Sequence, residues 1–483
     1  MSLAKKTTTG IIWNFTETMS KKGFAVITTL LLARFLTPED FGLISMMAVF
    51  IAVAGQIMES GFKQAIIRKL GATQEDFNTA FYSNLFLGAL AYVLLFFSAP
   101  LIADFYEETR LIVLIRVLGI VIPINSFQVI QSAILSRELN FKAQLKATVP
   151  ASIISAVIAI FMAFNGYGVW SLIIQMIVSA FLTTVSLWLM RLWTPTLTVS
   201  QGSLFEMFGF GSKLFISGLI DIVFQNMYIV VIAKMFTATI AGHFFFAKKI
   251  KELIANQLVN SVQTVTFPAL ASLQENNASL KSGYRKIIQV TTFLIFPSML
   301  FMAALAQPIF MVFLNDQWLP AYPYLQLMCL SHIMYPLHSI NLNILKVKGR
   351  SDLFLYLEII KKIFAVAVLA MSFQYGVIGI LIGQIIASFI AYIPNSYFSG
   401  KLINYPAREQ IYDILPNLLI SGTIAVTIYI GVEISTLPAL FELALFGFLA
   451  GATYILASYI FKMQAVNILE HIIREKFRRK THG

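Results

Sequence analysis

The composition of this 483-residue chain is that of a membrane protein. Apolar residues make up 58% of it and charged residues only 12%, whereas a soluble domain has roughly 45–50% and 25%. This composition excludes a water-soluble enzyme and a disordered chain, and it excludes a nucleic-acid-binding protein despite the net charge of +12. The apolar stretches run to about 20 residues, which predicts membrane-spanning helices rather than the shorter alternating strands of a barrel.

Fourteen helices are predicted along the chain, and helix breakers mark several of the joints between them. Thr37-Pro38, Asn165-Gly166 and Leu437-Pro438 stand where turns are needed. The first helix is interpreted as a retained span rather than a signal peptide, because polar residues interrupt it and no small-residue cleavage site follows. The helices are predicted at 10–34, 41–58, 79–99, 111–134, 147–164, 168–190, 208–233, 240–264, 287–312, 321–345, 354–373, 376–397, 412–431 and 438–461.

The distribution of charge predicts the orientation of these helices. Basic residues accumulate in cytoplasmic loops, and most of the 35 in this chain fall in the inner connections if the N-terminus is inside. Lys361 and Lys362 are counted among these inner residues. The outer connections carry mainly acidic residues such as Asp40, Asp104 and Glu107. Both termini are therefore predicted to face the cytoplasm.

The chain contains an internal repeat. An offset of 200 residues aligns LLARFLTPEDFG (31–42) with VIAKMFTATIAG (231–242), which pairs Thr37 with Thr237 and Gly42 with Gly242. Loop differences shift the offset further on. An offset of 208 aligns Tyr167-Gly168-Val169 with Tyr375-Gly376-Val377, and an offset of 213 aligns Pro123 and Ser126 with Pro336 and Ser339.

The repeat predicts the domain organisation. Because the offset covers six helices, both halves have the same orientation in the membrane. We predict an all-α polytopic protein with a six-helix lobe over 1–200, a second over 201–400, and a peripheral helix pair with a basic cytoplasmic tail over 401–483. Transporters built in this way bind substrate between the halves and alternate access. The alternative is a duplicated membrane protein that transports nothing.

Polar side chains interrupt predicted helices 1, 2, 7 and 8. A charge at the centre of a bilayer costs about 2.5–3.5 kcal/mol even on lenient scales, so such groups usually face a bundle interior or a water-filled cavity. These helices are therefore predicted to line a polar cavity. The predicted substrate-binding residues are Asn14, Lys21, Lys22, Gln56, Gln225, Lys248, Lys249, Lys251, Asn256 and Asn260, and Glu17 and Asp221 are predicted groups for coupling to a cation.

Structural explanations stay open for several of these residues. Lys248, Lys249 and Lys251 would be ordinary anchors if they lay nearer the inner surface, and Glu17 with Lys21 has the i, i+4 spacing of a structural ion pair. His332 and His338 are interpreted as hydrogen-bonded structural histidines, and Cys329 as a buried, inert thiol. No cluster has metal-ligand spacing and no Gly-rich phosphate loop follows a strand, so no catalytic residue, metal or cofactor is predicted.

The charges of the predicted lining indicate the ligand. Its lysines outnumber its carboxylates, which favours an anion, and the neighbouring amides and hydroxyls suit a hydroxyl-rich ligand. A phosphate joined to a sugar has both properties.

Two segments carry a resemblance to a known family: LARFLTPEDFG at 32–42 and GFKQAIIRK after helix 2. With the helix pattern and the repeat, they resemble the polysaccharide-exporting branch of the MOP (multidrug, oligosaccharidyl-lipid, polysaccharide) superfamily, and within it the Wzx-type flippases of lipopolysaccharide, colanic acid and teichuronic acid biosynthesis. The resemblance implies movement of undecaprenyl-diphosphate-linked oligosaccharides from the inner to the outer leaflet of the bacterial inner membrane. Related flippases use basic residues on helices 1, 2 and 8. Here the lysines of helices 1 and 8 match, whereas helix 2 has none before Lys63.

The same resemblance implies the partners. These are the lipid-linked oligosaccharide, membrane lipid, a polysaccharide polymerase and assembly proteins, with no nucleic acid; whether a proton or sodium ion is coupled is left open. Two rivals remain. A drug/cation antiporter of the same superfamily needs an acidic binding site, which the cationic lining disfavours. A non-transporting polysaccharide-assembly protein such as a polymerase needs a sizeable outer loop, and the sequence predicts none.

Overall fold

A computed structural model describes residues 23–271, 273–468 and 470, with side chains left out at 254, 256–269, 271 and 351. Across these ranges the chain forms helices and turns and no β-strand, which confirms the all-α prediction. The first ten helices are α1 (Gly23–Ala33), α2 (Pro38–Glu59), α3 (Phe62–Arg68), α4 (Gln74–Tyr106), α5 (Leu111–Leu118), α6 (Val121–Ser126), α7 (Val129–Arg137), α8 (Phe141–Phe164), α9 (Val169–Leu189) and α10 (Gln201–Met235). The others are α11 (Ala238–Ala271), α12 (Asn277–Ala304), α13 (Ala306–Phe313), α14 (Tyr322–His332), α15 (Tyr335–Val347), α16 (Ser351–Ser372), α17 (Gly376–Ile403), α18 (Ala407–Ile434) and α19 (Ala439–Ile460).

The predicted helices from the second to the fourteenth each coincide with one or more of these helices. Predicted helices 4, 9 and 10 are broken into α5–α7, α12–α13 and α14–α15. In the described part of the chain, nine helical segments are long and apolar enough to cross a bilayer, and one of them contains both α16 and α17. The bent pair Leu111–Ser126 and Val129–Arg137 adds a tenth candidate. The total of fourteen spans stays a prediction.

The chain divides into two compact units between Phe245 and Phe246. In the first unit, α2 packs against α4 and α10, and α8 packs against α9. Capping boxes start two of these helices: the Thr37 and Thr73 side chains accept from the backbone N–H groups of Asp40 and Asp76, whose carboxylates accept in return. The helix α10, which follows the predicted lobe boundary at residue 200, is part of this unit.

In the second unit, α12 is the central helix. It packs along α18 and also contacts α14 and α15, while α17 packs against α14, α15 and α16. The predicted peripheral pair, α18 and α19, packs on α12 and α13 through an apolar cluster of small and branched side chains: Ala304, Leu305, Ala425, Ile428, Val432 and Ala450. Asn417 of α18 adds hydrogen bonds to the Gln289 carbonyl (3.1 Å) and to Thr292 (2.9 Å) of α12.

The internal repeat reappears in local details of the helices. The Oγ1 of Thr37 and that of Thr237 each accept a hydrogen bond of 3.3 Å from the backbone N–H three residues later. The offset of 213 residues also relates two helix breaks, one between α5 and α6 and one between α14 and α15. Pro336 accounts for the second break, because it lacks the N–H that would bond to the His332 carbonyl four residues earlier.

Candidate substrate-binding site

The three predicted lysines of helix 8 lie well inside α11. Lys248 is the tenth residue after Ala238, and at 1.5 Å per residue it lies about 15 Å along the helix. The hydrocarbon core of a bilayer is about 30 Å thick. If α11 begins at the outer interface, as the predicted topology has it, these lysines lie near mid-membrane. This position favours the cavity interpretation over that of inner anchors.

The three lysines have different surroundings. The Lys248 side chain is 25% exposed and its Nζ lies 3.9 Å from Glu252 Oε1, one turn later. Lys249 is exposed, and both lysines make further contacts. Lys251 is half-buried, and its ammonium interacts electrostatically with the Glu252 carboxylate on α11 and with the Cys329 thiol and the His332 ring of α14.

One predicted residue of helix 2 packs against predicted helix 7 in the first unit. Gln56 of α2 lies against α10, where a Cβ added to Gly218 would be 2.4 Å from the Gln56 Nε2. Asp221 and Gln225 follow on α10 and are exposed, and both make contacts. Because residue 218 has no side chain, the Gln56 amide fits against α10 at that position. Gly218 lies about one helical turn before Asp221.

Other predicted residues cannot be placed. Asn14, Glu17, Lys21 and Lys22 lie outside the described residues, and Asn256 and Asn260 lie on the part of α11 whose side chains are not described. Their participation stays a prediction.

The sequence did not predict an ion pair that lies inside the second unit. Lys361 and Glu358 pair on α16, and their side chains are 18% and 28% exposed. Counting Lys361 and Lys362 with the inner connections was wrong, because both lie about ten residues into α16, or about 15 Å along it. The only signal in the sequence was the i, i+3 spacing of the two charges.

The two histidines of predicted helix 10 have different environments. The His338 Nε2 lies 3.0 Å from the Ser388 carbonyl oxygen, and its Nδ1 lies 2.8 Å from the Asn395 amide nitrogen. The prediction of a hydrogen-bonded structural histidine is confirmed for this residue. His332 instead stacks on Tyr335, with ring centroids 4.5 Å apart. Its buried Nε2 has no hydrogen-bond partner among the residues the structure describes.

Charged residues fix both ends of α10 within the first unit. Near its start, Glu206 accepts from the Lys69 ammonium (2.7 Å), which also pairs with Asp76 of α4 (2.9 Å). Hydrogen bonds to Glu206 and Asp76 raise the pKa of Lys69. At the other end, Lys234 pairs with Glu107 (2.7 Å), and this bond lowers the pKa of Glu107. The helix that carries Asp221 and Gln225 is thereby held in register with α4.

The sequence of this chain matches a known protein family. A profile of the polysaccharide biosynthesis protein family matches residues 31–323, which is more than half of the chain. The chain belongs to this family. The match includes α2, α10 and the lysines of α11, and it confirms the resemblance drawn from the sequence.

Three relatives of this chain are named for the biosynthesis or transport of polysaccharides. The chain is 25% identical to the succinoglycan biosynthesis transport protein ExoT of Rhizobium meliloti, over 68% of this chain and 66% of that protein. It is 24% identical to the teichuronic acid biosynthesis protein TuaB of Bacillus subtilis, over 74% of each chain. It is 23% identical to the lipopolysaccharide biosynthesis protein WzxC of Escherichia coli, over 89% of each.

Solved structures show the same fold. The lipid II flippase MurJ in an inward closed conformation superposes with a TM-score of 0.74 at 18% identity, covering 93% of this chain and 98% of that one. An inward-facing multidrug resistance MATE transporter of the MOP superfamily gives 0.62 at 16% identity, covering 82% and 100%. The chain thus has the helical fold of these solved structures, and its long apolar helices identify it as a multi-pass membrane protein.

Proposed function

We propose that this protein is a flippase that moves undecaprenyl-diphosphate-linked oligosaccharide units from the inner to the outer leaflet of the bacterial inner membrane. It works by alternating access, with both termini in the cytoplasm. The observation that carries the proposal is the lysine cluster about 15 Å into α11, within a family of polysaccharide biosynthesis proteins. The relatives named for succinoglycan transport and lipopolysaccharide biosynthesis support the substrate class.

The chemistry of the cluster matches this substrate. Lys248, Lys249 and Lys251 offer ammonium groups to a diphosphate, and such charge-assisted hydrogen bonds are about twice as strong as neutral ones. Amides such as Gln56 suit the sugar hydroxyls. The polyprenyl chain stays in the lipid, so that only the polar headgroup needs a path through the protein.

The membrane potential supplies a driving force. Moving one charge across 100 mV is worth about 2.3 kcal/mol, so a headgroup with two negative charges would gain about 4–5 kcal/mol on leaving a negative interior. The direct test is movement of a labelled lipid-linked oligosaccharide in proteoliposomes under a potassium diffusion potential. We expect the rate to increase with an inside-negative potential. A rate that is the same with and without this protein would refute the flippase proposal.

The fold is also that of a multidrug resistance transporter, and a drug/cation antiporter is the alternative function. The cationic cluster on α11 argues against this alternative, since its three lysines outnumber the one neighbouring carboxylate, Glu252. Substrate choice separates the two: export of a cationic dye, without movement of the lipid-linked sugar, would favour the antiporter.

Neutralising the α11 lysines is expected to abolish transport. The triple variant K248Q/K249Q/K251Q removes the charges that we propose hold the diphosphate, so it should fail to complement a flippase-null strain while its abundance in the membrane stays near normal. The matched control K146Q/K286Q/K401Q removes three exposed lysines and should complement. Loss of abundance in the first variant alone would instead indicate that the α11 lysines anchor the fold.

A further inference from the structure

We infer that two exposed ion pairs act as releasable gates at opposite ends of the path between the two repeats. The inner pair joins Lys69 to Glu206, and the outer pair joins Lys234 to Glu107. This role rests on the proposed function, because it explains how alternating access opens one face at a time. All four residues lie in the first unit.

The two pairs are one membrane thickness apart. Both involve α10, on which Lys234 comes 28 residues after Glu206, or about 42 Å along the helix. A bilayer is about 40–45 Å thick including its headgroups. In the predicted topology, the pair with Glu206 therefore lies at the inner face and the pair with Lys234 at the outer face.

Each pair joins one repeat of the sequence to the other. The helix α10 is the first helix of the second repeat, whereas Lys69 and Glu107 flank α4, in the first repeat. Transporters built from parallel repeats bind substrate between them. For the headgroup to enter or leave at one face, α10 must therefore separate from α4 at that face, and the ion pair there must break.

Two further contacts accompany the inner pair. The Arg68 guanidinium lies 4.5 Å from the centroid of the Phe210 ring, which is within the range of a cation–π interaction. A Cβ added to Gly211 would overlap the Ser60 carbonyl oxygen. The inner end of α10 is thus closed against α3 and the end of α2 by a charge, a ring and a backbone contact.

The outer pair has the same two kinds of companion. The Lys234 ammonium lies 5.6 Å from the centroid of the Phe105 ring of α4. Next to α10 along the chain, a Cβ added to Gly42 of α2 would overlap the Ala238 carbonyl oxygen at the start of α11. Both ends of α10 are therefore closed in this structure, and by equivalent means.

The exposure of the carboxylates makes these pairs releasable. The Glu206 side chain is 62% exposed and that of Glu107 is 82% exposed, and exposed ion pairs stabilise a protein only slightly. Water can replace either lysine at small cost. When Glu206 separates, Lys69 keeps its second partner, the Asp76 carboxylate at 2.9 Å. Opening the inner face therefore leaves no lone charge on Lys69.

A single cysteine on α10 can report which face is open. Ser217 is exposed and lies between Glu206 and Lys234, about one turn before Asp221. In a C329A background, S217C is the one thiol of the chain. We measure its labelling by a membrane-impermeant thiol reagent, applied to the outer face of spheroplasts or to the inner face of inverted vesicles.

The two gates are expected to change labelling in opposite directions. E107Q breaks the outer pair and should increase labelling from outside about threefold while decreasing it from inside, because the population shifts toward the outward-open state. E206Q should do the reverse. A general loosening of the fold would increase labelling from both sides, and that result, or no change in either variant, would overturn the inference.

Matched variants control for charge. D104N and E75Q each remove an exposed carboxylate of α4 near the outer and the inner pair, and both should label like the wild type. The charge exchange E107K/K234E restores the outer pair and should return outside labelling to the wild-type rate. Outside labelling that stays high in this folded double variant would contradict a gate. If E107Q does not accumulate in the membrane, K234Q removes the same pair from α10 and should give the same result.

Transport measurements separate this inference from the proposed function. Movement of the lipid-linked sugar by the wild type in proteoliposomes, without a change of labelling in E107Q or E206Q, would overturn the gates and leave the flippase standing. Opposite changes of labelling in a protein that does not move the sugar would refute the flippase and support gates that serve another substrate.

Discussion

Valine in place of Gly242 is expected to prevent the protein from folding or functioning normally. In the first unit, α2 and the start of α11 cross with their backbones in contact: a Cβ added to Gly242 would lie 1.7 Å from the Pro38 carbonyl oxygen. Neither backbone is free to move as a flexible side chain would, so the two helices must separate. Overpacking usually costs about 1–3 kcal/mol, and we expect Gly242→Val to reach or exceed the upper end. The measurements are thermal unfolding of the purified protein and complementation of a flippase-null strain.

The same crossing provides a second variant and a control. Gly42 occupies the equivalent place in the repeat, with an added Cβ 1.8 Å from the Ala238 carbonyl oxygen, so Gly42→Val should act in the same way. Gly451 on α19 has nothing within 4 Å of an added Cβ, and Gly451→Val should leave the unfolding temperature close to that of the wild type. Equal unfolding temperatures for all three variants would show that the crossing is not tight.

Removing the Asp76 carboxylate is expected to destabilise the first unit by about 2–3 kcal/mol. This side chain is 2% exposed and has four partners. It accepts from the Thr73 N–H (2.8 Å), the Thr73 hydroxyl (3.1 Å), the Ser203 hydroxyl (2.6 Å) and the Lys69 ammonium (2.9 Å). Asp76→Ala thus removes the carboxylate half of the capping box of α4 and, at the same time, a connection to the start of α10. A lower unfolding temperature and faster proteolysis of the 191–200 segment are the expected results.

Glu75 offers the matched control for this prediction. It lies in the same first turn and carries the same charge but is exposed, so Glu75→Ala should change stability by no more than about 0.5 kcal/mol. If the two variants unfold at the same temperature, Asp76 does not hold α10 in place. The proteolysis measurement then shows whether other hydrogen bonds keep the 191–200 segment in position. Asn78 donates two of them, to Thr196 and to Thr198 (both 2.6 Å).

The positions of the helices were predictable because they depend on local properties. Apolar length and breakers such as Thr37-Pro38 act over a few residues, and α2, α9 and α19 begin where those signals predict. The helix breaks were not predicted. Neither was the short α3, which occupies a predicted connection between helices.

The candidate site was predictable only in part. The lysines of α11 stood out because charges are rare in apolar helices. His332 did not, since a histidine beside Pro336 has no distinctive pattern in one sequence. The missing hydrogen-bond partner of its Nε2, among the residues the structure describes, becomes visible only when the helices are packed.

The amino-acid sequence alone determined that this is an all-helical membrane protein with a repeat, because hydrophobic length and helix breakers are properties of short segments in lipid. The tertiary structure decided which polar groups are already satisfied and which are not. It paired Lys361 with Glu358, connected Lys69 to Asp76 and Glu206, and left the His332 nitrogen without a partner in the described residues. The physical reason is that a hydrogen bond or ion pair depends on distances between side chains far apart in the chain, such as Lys69 and Glu206.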